Sequence, residues 1–209
     1  MTRSHRSTLA LATALSGVLI GYPLPSLPAT PPAINWKQQE PEILRHYRAL
    51  VQLDTSSPPG NETRAVNYLK GVFEKEGIPV KTFALDPNRA NLVARIAGNG
   101  SKRPILLMSH TDVVGVQREK WPVDPFGAVE SEGYVWGGGT RDDKDNLTAN
   151  LMSMLLAKRS GMVLDRDIIF LAESGEEADP AGVGHPSTVL LQDGKTILAN
   201  MSSPPQPTE

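Results

Sequence analysis

The spacing of apolar residues predicts two amphipathic helices at the start of a folded domain that begins near residue 42. Apolar positions recur at helical intervals from Ile43 to Leu53, and a Ser-Ser-Pro-Pro-Gly run then interrupts them. A second helical pattern starts after Asn61, a residue type that caps helices, and stops at Gly77. Both patterns place apolar side chains on one face, as in helices that pack on a core.

Short apolar runs farther along the chain predict strands that alternate with helices. Strand patterns cover residues 80–85, 91–96, 105–108 and 168–172, and helical spacing returns between Asp143 and Gly161. The run at 105–108 is continuously apolar, which predicts a strand buried on both faces. The alternation predicts an α/β fold, a sheet with flanking helices in three layers.

The first 33 residues predict a signal peptide followed by the start of a linker. Basic residues precede an apolar run from Leu9 to Ile20, and small residues and prolines follow it. A membrane-spanning helix needs roughly 20 apolar residues, so an uncleaved anchor is the less favoured alternative. We therefore expect an exported protein, periplasmic or extracellular, with no membrane association after signal cleavage.

The rest of the chain divides by composition into three predicted segments. Residues 34–41 continue the linker, because the chain from residue 22 to about residue 41 is rich in Pro, Ala, Thr and Ser. The folded domain is predicted to span residues 42–200. Residues 201–209, which contain several prolines and serines, are predicted to form a disordered tail.

The net charge and the absence of cysteine limit the substrates and the metal ligands that we expect. The chain has 21 Lys and Arg against 23 Asp and Glu, a net charge of -2. This balance gives no field that would attract nucleic acid, so we expect a peptide or small-molecule substrate. Cysteine is absent, so any metal ion must be held by His, Asp or Glu.

Three clusters of His and acidic residues lie at predicted strand ends or at the start of a predicted helix, where open α/β sheets gather reactive groups. The first is His110 with Asp112, directly after residues 105–108. Residues two apart on an extended chain point the same way, so the imidazole could bind a metal ion while the carboxylate orients the ring or a neighbouring catalytic group. A histidine that is merely hydrogen-bonded is the alternative.

The second cluster is Asp142 with Asp143, which follow the glycines at 137–139. A carboxylate here could bridge two metal ions about 3.5–4 Å apart. Alternatively, both aspartates could simply cap the predicted helix and complement its positive end. The spacing of the glycines and lysine is not that of a P-loop.

The third cluster is the adjacent pair Glu176 and Glu177, which follows the predicted strand at 168–172. One carboxylate could bind a metal ion while its neighbour transfers a proton. The alternative is a solvated acidic loop. The combination of all three clusters at strand ends or at a helix start favours metal chemistry.

These clusters resemble the zinc peptidases and amidohydrolases that include glutamate carboxypeptidase, aminoacylase, glycine-X carboxypeptidase and succinyl-diaminopimelate desuccinylase. The resemblance covers about residues 42–177. It rests on four motifs in order: His110-Thr111-Asp112-Val113-Val114, Trp121 with Asp124-Pro125-Phe126, Trp136-Gly137 through Lys144, and Gly175-Glu176-Glu177.

The resemblance implies that His110 binds one zinc ion, Asp142 bridges two, and Glu177 binds the other. It also implies that Asp112 is a supporting carboxylate and Glu176 the general base. The implied reaction is hydrolysis of an amide bond in a peptide or N-acyl amino acid. Two zinc ions are the implied cofactors, although cobalt or manganese also suit these ligand types.

The sequence departs from the family pattern in ways that predict an incomplete site. Gly138 stands where arginine is usual, and Asp145 where a small residue is common. A further acidic ligand and a late histidine cannot be assigned, and we expect the lid domain through which relatives dimerise to be absent. We therefore expect a partial zinc-exopeptidase catalytic domain, truncated and weakly active or inactive, that cannot dimerise through a lid. The alternative is a non-catalytic remnant or interaction module that retains half of the sheet.

Overall fold

The computed structural model describes residues 33–177. The predicted signal peptide, the predicted tail and residues 178–200 of the predicted domain lie outside the described residues. Within the described part, no helix has both the length and the apolar character that crossing a membrane requires.

The described residues contain three α-helices: α1 (Trp36–Val51), α2 (Thr63–Lys75) and α3 (Lys144–Ser160). Helices α2 and α3 confirm the helical patterns predicted after Asn61 and near Asp143. Helix α3 ends at Ser160 and is capped by Gly161, whose φ of 63° lies in the left-handed region that glycine adopts without a Cβ clash.

Helix α1 begins earlier than the sequence pattern predicted. It starts at Trp36, so the prediction that residues 34–41 form a linker is wrong from residue 36 onward. The carboxamide oxygen of Asn35 accepts the backbone N–H of Gln38 at 3.3 Å and caps the first turn. Pro41 lies inside the helix and removes one backbone donor. The helix continues through it because the following turns pack on the core.

The described residues contain eight strands: β1 (Ser56–Ser57), β2 (Val80–Phe83), β3 (Asn91–Ile96), β4 (Ile105–His110), β5 (Val113–Val114), β6 (Val129–Ser131), β7 (Tyr134–Trp136) and β8 (Ile168–Glu173). Four of them form the central sheet in the order β2, β3, β8, β4. Strand β8 is antiparallel to β3 and parallel to β4. Strands β1 and β5 form a short parallel pair, and β6 and β7 form a hairpin.

The helices and the sheet share one apolar core. Leu69 and Phe73 of α2, Leu151 of α3, Leu92 of β3 and Phe170 of β8 all belong to this core and are inaccessible to solvent. The rings of Phe73 and Phe170 meet edge to face with their centroids 5.0 Å apart. The predicted α/β fold, a sheet flanked by helices, is confirmed.

Strand β4 is not buried on both faces, although its apolar run predicted this. Leu106 is 39% exposed and Met108 is 50% exposed, whereas Leu107 packs against the core. Among the described strands β4 lies at the edge of the central sheet and pairs only with β8. Because side chains alternate along a strand, every second one points away from the helices.

The parallel pairing of β4 and β8 brings two chain segments to one edge of the sheet. His110 and Glu173 are partners across this pair. The next residue, Thr111, continues the contact, because its N–H donates to the carbonyl of Glu173 at 2.8 Å. The residues that follow each strand therefore emerge side by side, close to the start of α3.

Candidate metal centre

The three side chains predicted as metal ligands come together at this edge. A ring nitrogen of His110 and one carboxylate oxygen each of Asp142 and Glu177 all lie within 4.8 Å of one another. His110 is buried, Glu177 is partly buried and Asp142 is exposed. Imidazole nitrogen and carboxylate oxygen are ligands that zinc and similar divalent ions accept. The residues present therefore fit the cations that the resemblance implies.

The orientation of the His110 ring is set by a backbone carbonyl. Nδ1 lies 3.0 Å from the carbonyl oxygen of Asp112, and because a carbonyl only accepts, Nδ1 carries a hydrogen. Nε2 faces a carboxylate oxygen of Asp142 at 2.9 Å and is the nitrogen that can bind a cation. Burial opposes the charged ring, but the carboxylates of Asp112 and Asp142 outweigh it and raise the pKa of His110 to about 10. A cation would compete with a proton for this nitrogen at neutral pH.

The adjacent residues Asp142 and Asp143 have different partners. The side chain of Asp142 is 76% exposed and faces His110. The carboxylate of Asp143 accepts the backbone N–H of His110 at 3.2 Å and the carboxamide of Asn146 at 3.3 Å. Asp143 occupies the N-cap position of α3, yet its side chain makes no capping hydrogen bond. The capping alternative is therefore not observed for Asp143, which instead ties the end of β4 to α3.

The turn before Asp142 contains glycines because it passes close to other groups. Gly139 has a φ of 76°, and a Cβ atom there would collide with the side chain of Val113. On the other side of Asp142, the fully buried Lys144 donates from Nζ to the carbonyl of Leu53 at 2.6 Å. Burial lowers the pKa of Lys144 to about 8. These contacts hold the turn against β5 and the segment after α1.

Asp112 contacts both His110 and the loop that carries Glu176 and Glu177. It is completely buried, and its carboxylate accepts the backbone N–H groups of Gly175, Glu176 and Glu177 at 3.0, 3.1 and 2.9 Å. Burial raises its pKa, but the neighbouring imidazole and the N–H of Glu177 outweigh burial, so the pKa of Asp112 is lowered. Asp112 is therefore a buried anion that is stabilised by backbone donors.

The carboxylate of Glu177 interacts with the negative charges of Asp142, Glu176 and the buried Asp112. Burial and the charge of Asp142 both raise the pKa of Glu177. Glu176 is the exposed neighbour of Glu177 and points no oxygen into the three-residue cluster described above. A divalent cation between Asp142 and Glu177 would relieve their repulsion.

Sequence reasoning missed two asparagines of α3 that hold the end of β4. The carboxamide of Asn150 donates to the hydroxyl of Ser109 at 2.7 Å and to the carbonyl of Met108 at 3.2 Å. The carboxamide of Asn146 donates to the same hydroxyl at 3.2 Å. Their spacing of four residues on a helix with many apolar positions is the signal that could have identified them.

The comparisons with known proteins identify relatives of this chain. The model of peptidase family M20/M25/M40 matches residues 106–201. A probable succinyl-diaminopimelate desuccinylase from Staphylococcus aureus (strain Mu50) is 36% identical over 145 residues, which are 68% of this chain and 35% of the relative. The chain thus spans about a third of the length of the curated relatives it matches. The resemblance drawn from the motifs is confirmed.

Solved structures share the fold. Human carnosine dipeptidase 1 matches with a TM-score of 0.66 at 18% identity, over 83% of this chain and 41% of that protein. A dinuclear metal-binding peptidase of the M20 family from Bacillus subtilis matches with a TM-score of 0.55 at 19% identity, over 80% of this chain and 42% of that protein. At these identities the two matches show a common α/β architecture.

Proposed function

Residues 106–201 belong to peptidase family M20/M25/M40, and from that premise we propose that this chain carries part of a two-metal centre that hydrolyses amide bonds. By resemblance to that family, the proposed activity is that of a metallo-hydrolase. The observation that carries the proposal is that His110, Asp142 and Glu177 offer ligand atoms within 4.8 Å of one another. The three residues come from the end of β4, the turn before α3 and the loop after β8.

Each residue of the centre has a proposed role. His110 would hold one cation through Nε2, Glu177 would hold the second, and Asp142 would bind both. Bound cations would lower the pKa of a water molecule and polarise the amide carbonyl. Glu176 is exposed next to Glu177, so it can accept a proton from water and return it to the leaving amine. Asp112 holds the backbone that carries both glutamates.

The proposed substrate is a peptide or an N-acyl amino acid, and the proposed ions are zinc, with cobalt or manganese as alternatives. One relative is named a desuccinylase and one structural neighbour a dipeptidase. Both names are consistent with an amide-bond substrate. The donor set of one imidazole and carboxylates accepts all three ions, so it does not select among them.

Metal analysis of the purified chain tests the proposal. We expect zinc to remain bound after desalting, and we expect His110→Ala and Glu177→Ala to lose most of it. Glu176→Gln is the matched control, because it should retain zinc while any hydrolysis of N-acyl amino acids is lost. Zinc that is absent from the unaltered chain, or that persists in the double variant His110→Ala/Glu177→Ala, would contradict the proposal. Absence of zinc from the unaltered chain would favour the alternative that it is a non-catalytic remnant or interaction module.

We also propose export from the cytoplasm, which rests on the basic and apolar pattern of residues 1–33. Cell fractionation and mass spectrometry of the N-terminus test it. We expect a shortened chain outside the cytoplasm. A full-length chain that stays in the cytoplasmic fraction would show that this pattern does not act as a signal.

A further inference from the structure

Four consecutive backbone N–H groups after β8 are held by side chains rather than by the sheet or a helix. The N–H of Ser174 donates to the carboxamide oxygen of Asn91 at 2.9 Å. The N–H groups of residues 175–177 donate to the carboxylate of Asp112 at 3.0, 3.1 and 2.9 Å. Three of these four hydrogen bonds therefore depend on one carboxylate.

The burial of Asp112 makes this dependence strong. Its side chain is completely inaccessible to solvent, and its hydrogen bond with the N–H of Gly175 is buried while those with Glu176 and Glu177 are partly buried, so loss of the carboxylate leaves at least one buried donor without its partner. Hydrogen bonds to an ionised acceptor are stronger than neutral ones, and a buried donor without a partner is costly. Gly175 has a φ of 82°, which lets the chain turn so that successive N–H groups face one anion.

The imidazole of His110 is held by a different atom of Asp112. The backbone carbonyl lies 3.0 Å from Nδ1, whereas the nearest carboxylate oxygen lies 3.6 Å away and outside hydrogen-bond distance. Every amino acid has a backbone carbonyl. The ring orientation should therefore survive loss of the Asp112 side chain, whereas the geometry of the loop at residues 175–177 should not.

We propose that Asp112 is a positioning residue for the glutamate side of the metal centre. Its carboxylate fixes the backbone of residues 175–177, and this places Glu177 within reach of Asp142 and His110. Loss of the carboxylate weakens the cation site that needs Glu177 and leaves the site at His110 intact. The cation part of this inference rests on the proposed function, whereas the loop part requires no cation.

Amide hydrogen exchange in the cation-free chain tests the loop part. In Asp112→Asn an amide group must face an N–H donor, so we expect exchange at residues 175–177 to accelerate by at least about tenfold. The N–H of Thr111, which donates to Glu173, should keep its protection and shows that the sheet is intact. Glu177→Gln is the matched control, because it keeps the backbone bonds and the exchange rates. Unchanged rates in a folded Asp112→Asn chain would overturn the inference.

Titration with cobalt, followed together with the imidazole NMR signals of His110, tests the cation part. We expect Asp112→Asn to weaken the step that is also lost in Glu177→Ala by at least about tenfold. The shift of the His110 signals on cobalt binding should persist. If the variant instead loses the His110 step, the carboxylate serves the ring and the inference is wrong. If the unaltered chain binds no cobalt, the proposed function fails, while the exchange experiment still decides the loop part.

A measurement on the unaltered chain covers the case in which Asp112→Asn does not fold. NMR couplings transmitted through hydrogen bonds should connect the backbone nitrogen of Glu177 with the carboxyl carbon of Asp112. Their absence, with the corresponding coupling between Thr111 and Glu173 visible, would overturn the inference.

Discussion

Asp142 and Asp143 are neighbours in the sequence, yet only Asp142 belongs to the cluster with His110 and Glu177. The carboxylate of Asp143 instead contacts the backbone N–H of His110. At the scale of single residues, the contacts of each side chain therefore decide whether it belongs to the metal centre. The sequence alone does not reveal which of two adjacent aspartates faces that centre. The sequence motif singled out Asp142 through family resemblance alone.

Alanine substitutions should separate the two aspartates. Asp142→Ala removes a proposed ligand and should abolish tight zinc binding. Asp143→Ala removes the acceptor for the His110 backbone N–H and for the Asn146 carboxamide, and it should weaken zinc binding by about tenfold to a hundredfold, as for other residues that orient a ligand. Isothermal titration calorimetry measures both effects. Asp145→Ala is the control on the exposed first turn of α3, and equal losses in all three variants would contradict the assignment.

The raised pKa of His110 predicts a pH dependence in the cation-free chain. The pKa rises from 6.5 to about 10 in the folded state, so protonated His110 stabilises the fold fully below pH 6.5. This contribution is lost as the pH rises from 6.5 through about 10. Urea unfolding with a chelator present should show a falling midpoint across that window. The fall should be smaller in His110→Gln, and identical slopes in both chains would rule out this contribution.

At the scale of elements, a group of ion pairs joins the three helices. Arg159 of α3 contacts Glu42 of α1 at 2.7 Å and Glu76, the C-cap residue of α2, at 2.6 Å. The hydrogen bond from Arg159 is the main reason why the pKa of Glu42 is lowered to about 2. Arg159 thus connects α3 by charge to α1 and to the C-terminal cap of α2.

Replacement of Glu42 should change how the chain responds to acid. A lowered pKa contributes stability that is present above pH 4.5 and lost as the pH falls toward 2. We expect Glu42→Gln to lower the urea midpoint above pH 4.5, at a cost of about 1 kcal/mol for a partly exposed pair. The two chains should converge near pH 2. Glu74→Gln, on the exposed side of α2, is the control and should leave the profile unchanged.

The elements that the sequence predicted well are those with long periodic patterns. Helices α2 and α3 each show apolar residues at helical spacing over several turns, and β3 matches its predicted range of 91–96. The start of α1 was missed because Pro41 resembles a helix boundary. Strands β1 and β5 contain two residues each, which is too short for any pattern to show.

At the scale of the whole molecule, β4 presents apolar side chains at the surface. Met108 and Leu106 are exposed on one side of this strand while Leu107 packs against the core. An apolar strand at a sheet edge promotes association between molecules. The continuous apolar run of β4 could not reveal that this strand lies at the edge of the sheet among the described strands. The order of strands in a sheet depends on contacts between distant segments.

Lysine substitutions should distinguish the two sides of β4. Met108→Lys should raise the soluble fraction and change the thermal midpoint little, because the added charge faces water. Leu107→Lys should destabilise the chain by several kcal/mol, about 3 or more, because an ammonium group would enter the core. Light scattering and thermal unfolding measure the two effects. Equal destabilisation by both substitutions would show that the exposed side is covered in solution.

The proposed metal ligands of the candidate centre could be predicted from the sequence, whereas the residues that hold the end of β4 in place could not. His110, Asp142 and Glu177 come from motifs at strand ends, where the general rule for α/β sheets directs attention. The asparagines Asn146 and Asn150 act only through tertiary contacts with the end of β4. Their four-residue spacing places them on one face of α3, but which strand end that face contacts is decided only once the sheet has formed.

The parallel pairing of β4 with β8 also affects folding thermodynamics. It places His110 and Glu177 together although they lie far apart along the polypeptide. An ion held by both would act as a reversible cross-link and would favour the native ensemble by mass action. The melting temperature should then rise with the logarithm of the free ion concentration, and a calorimetric scan would report occupancy of the centre without any substrate.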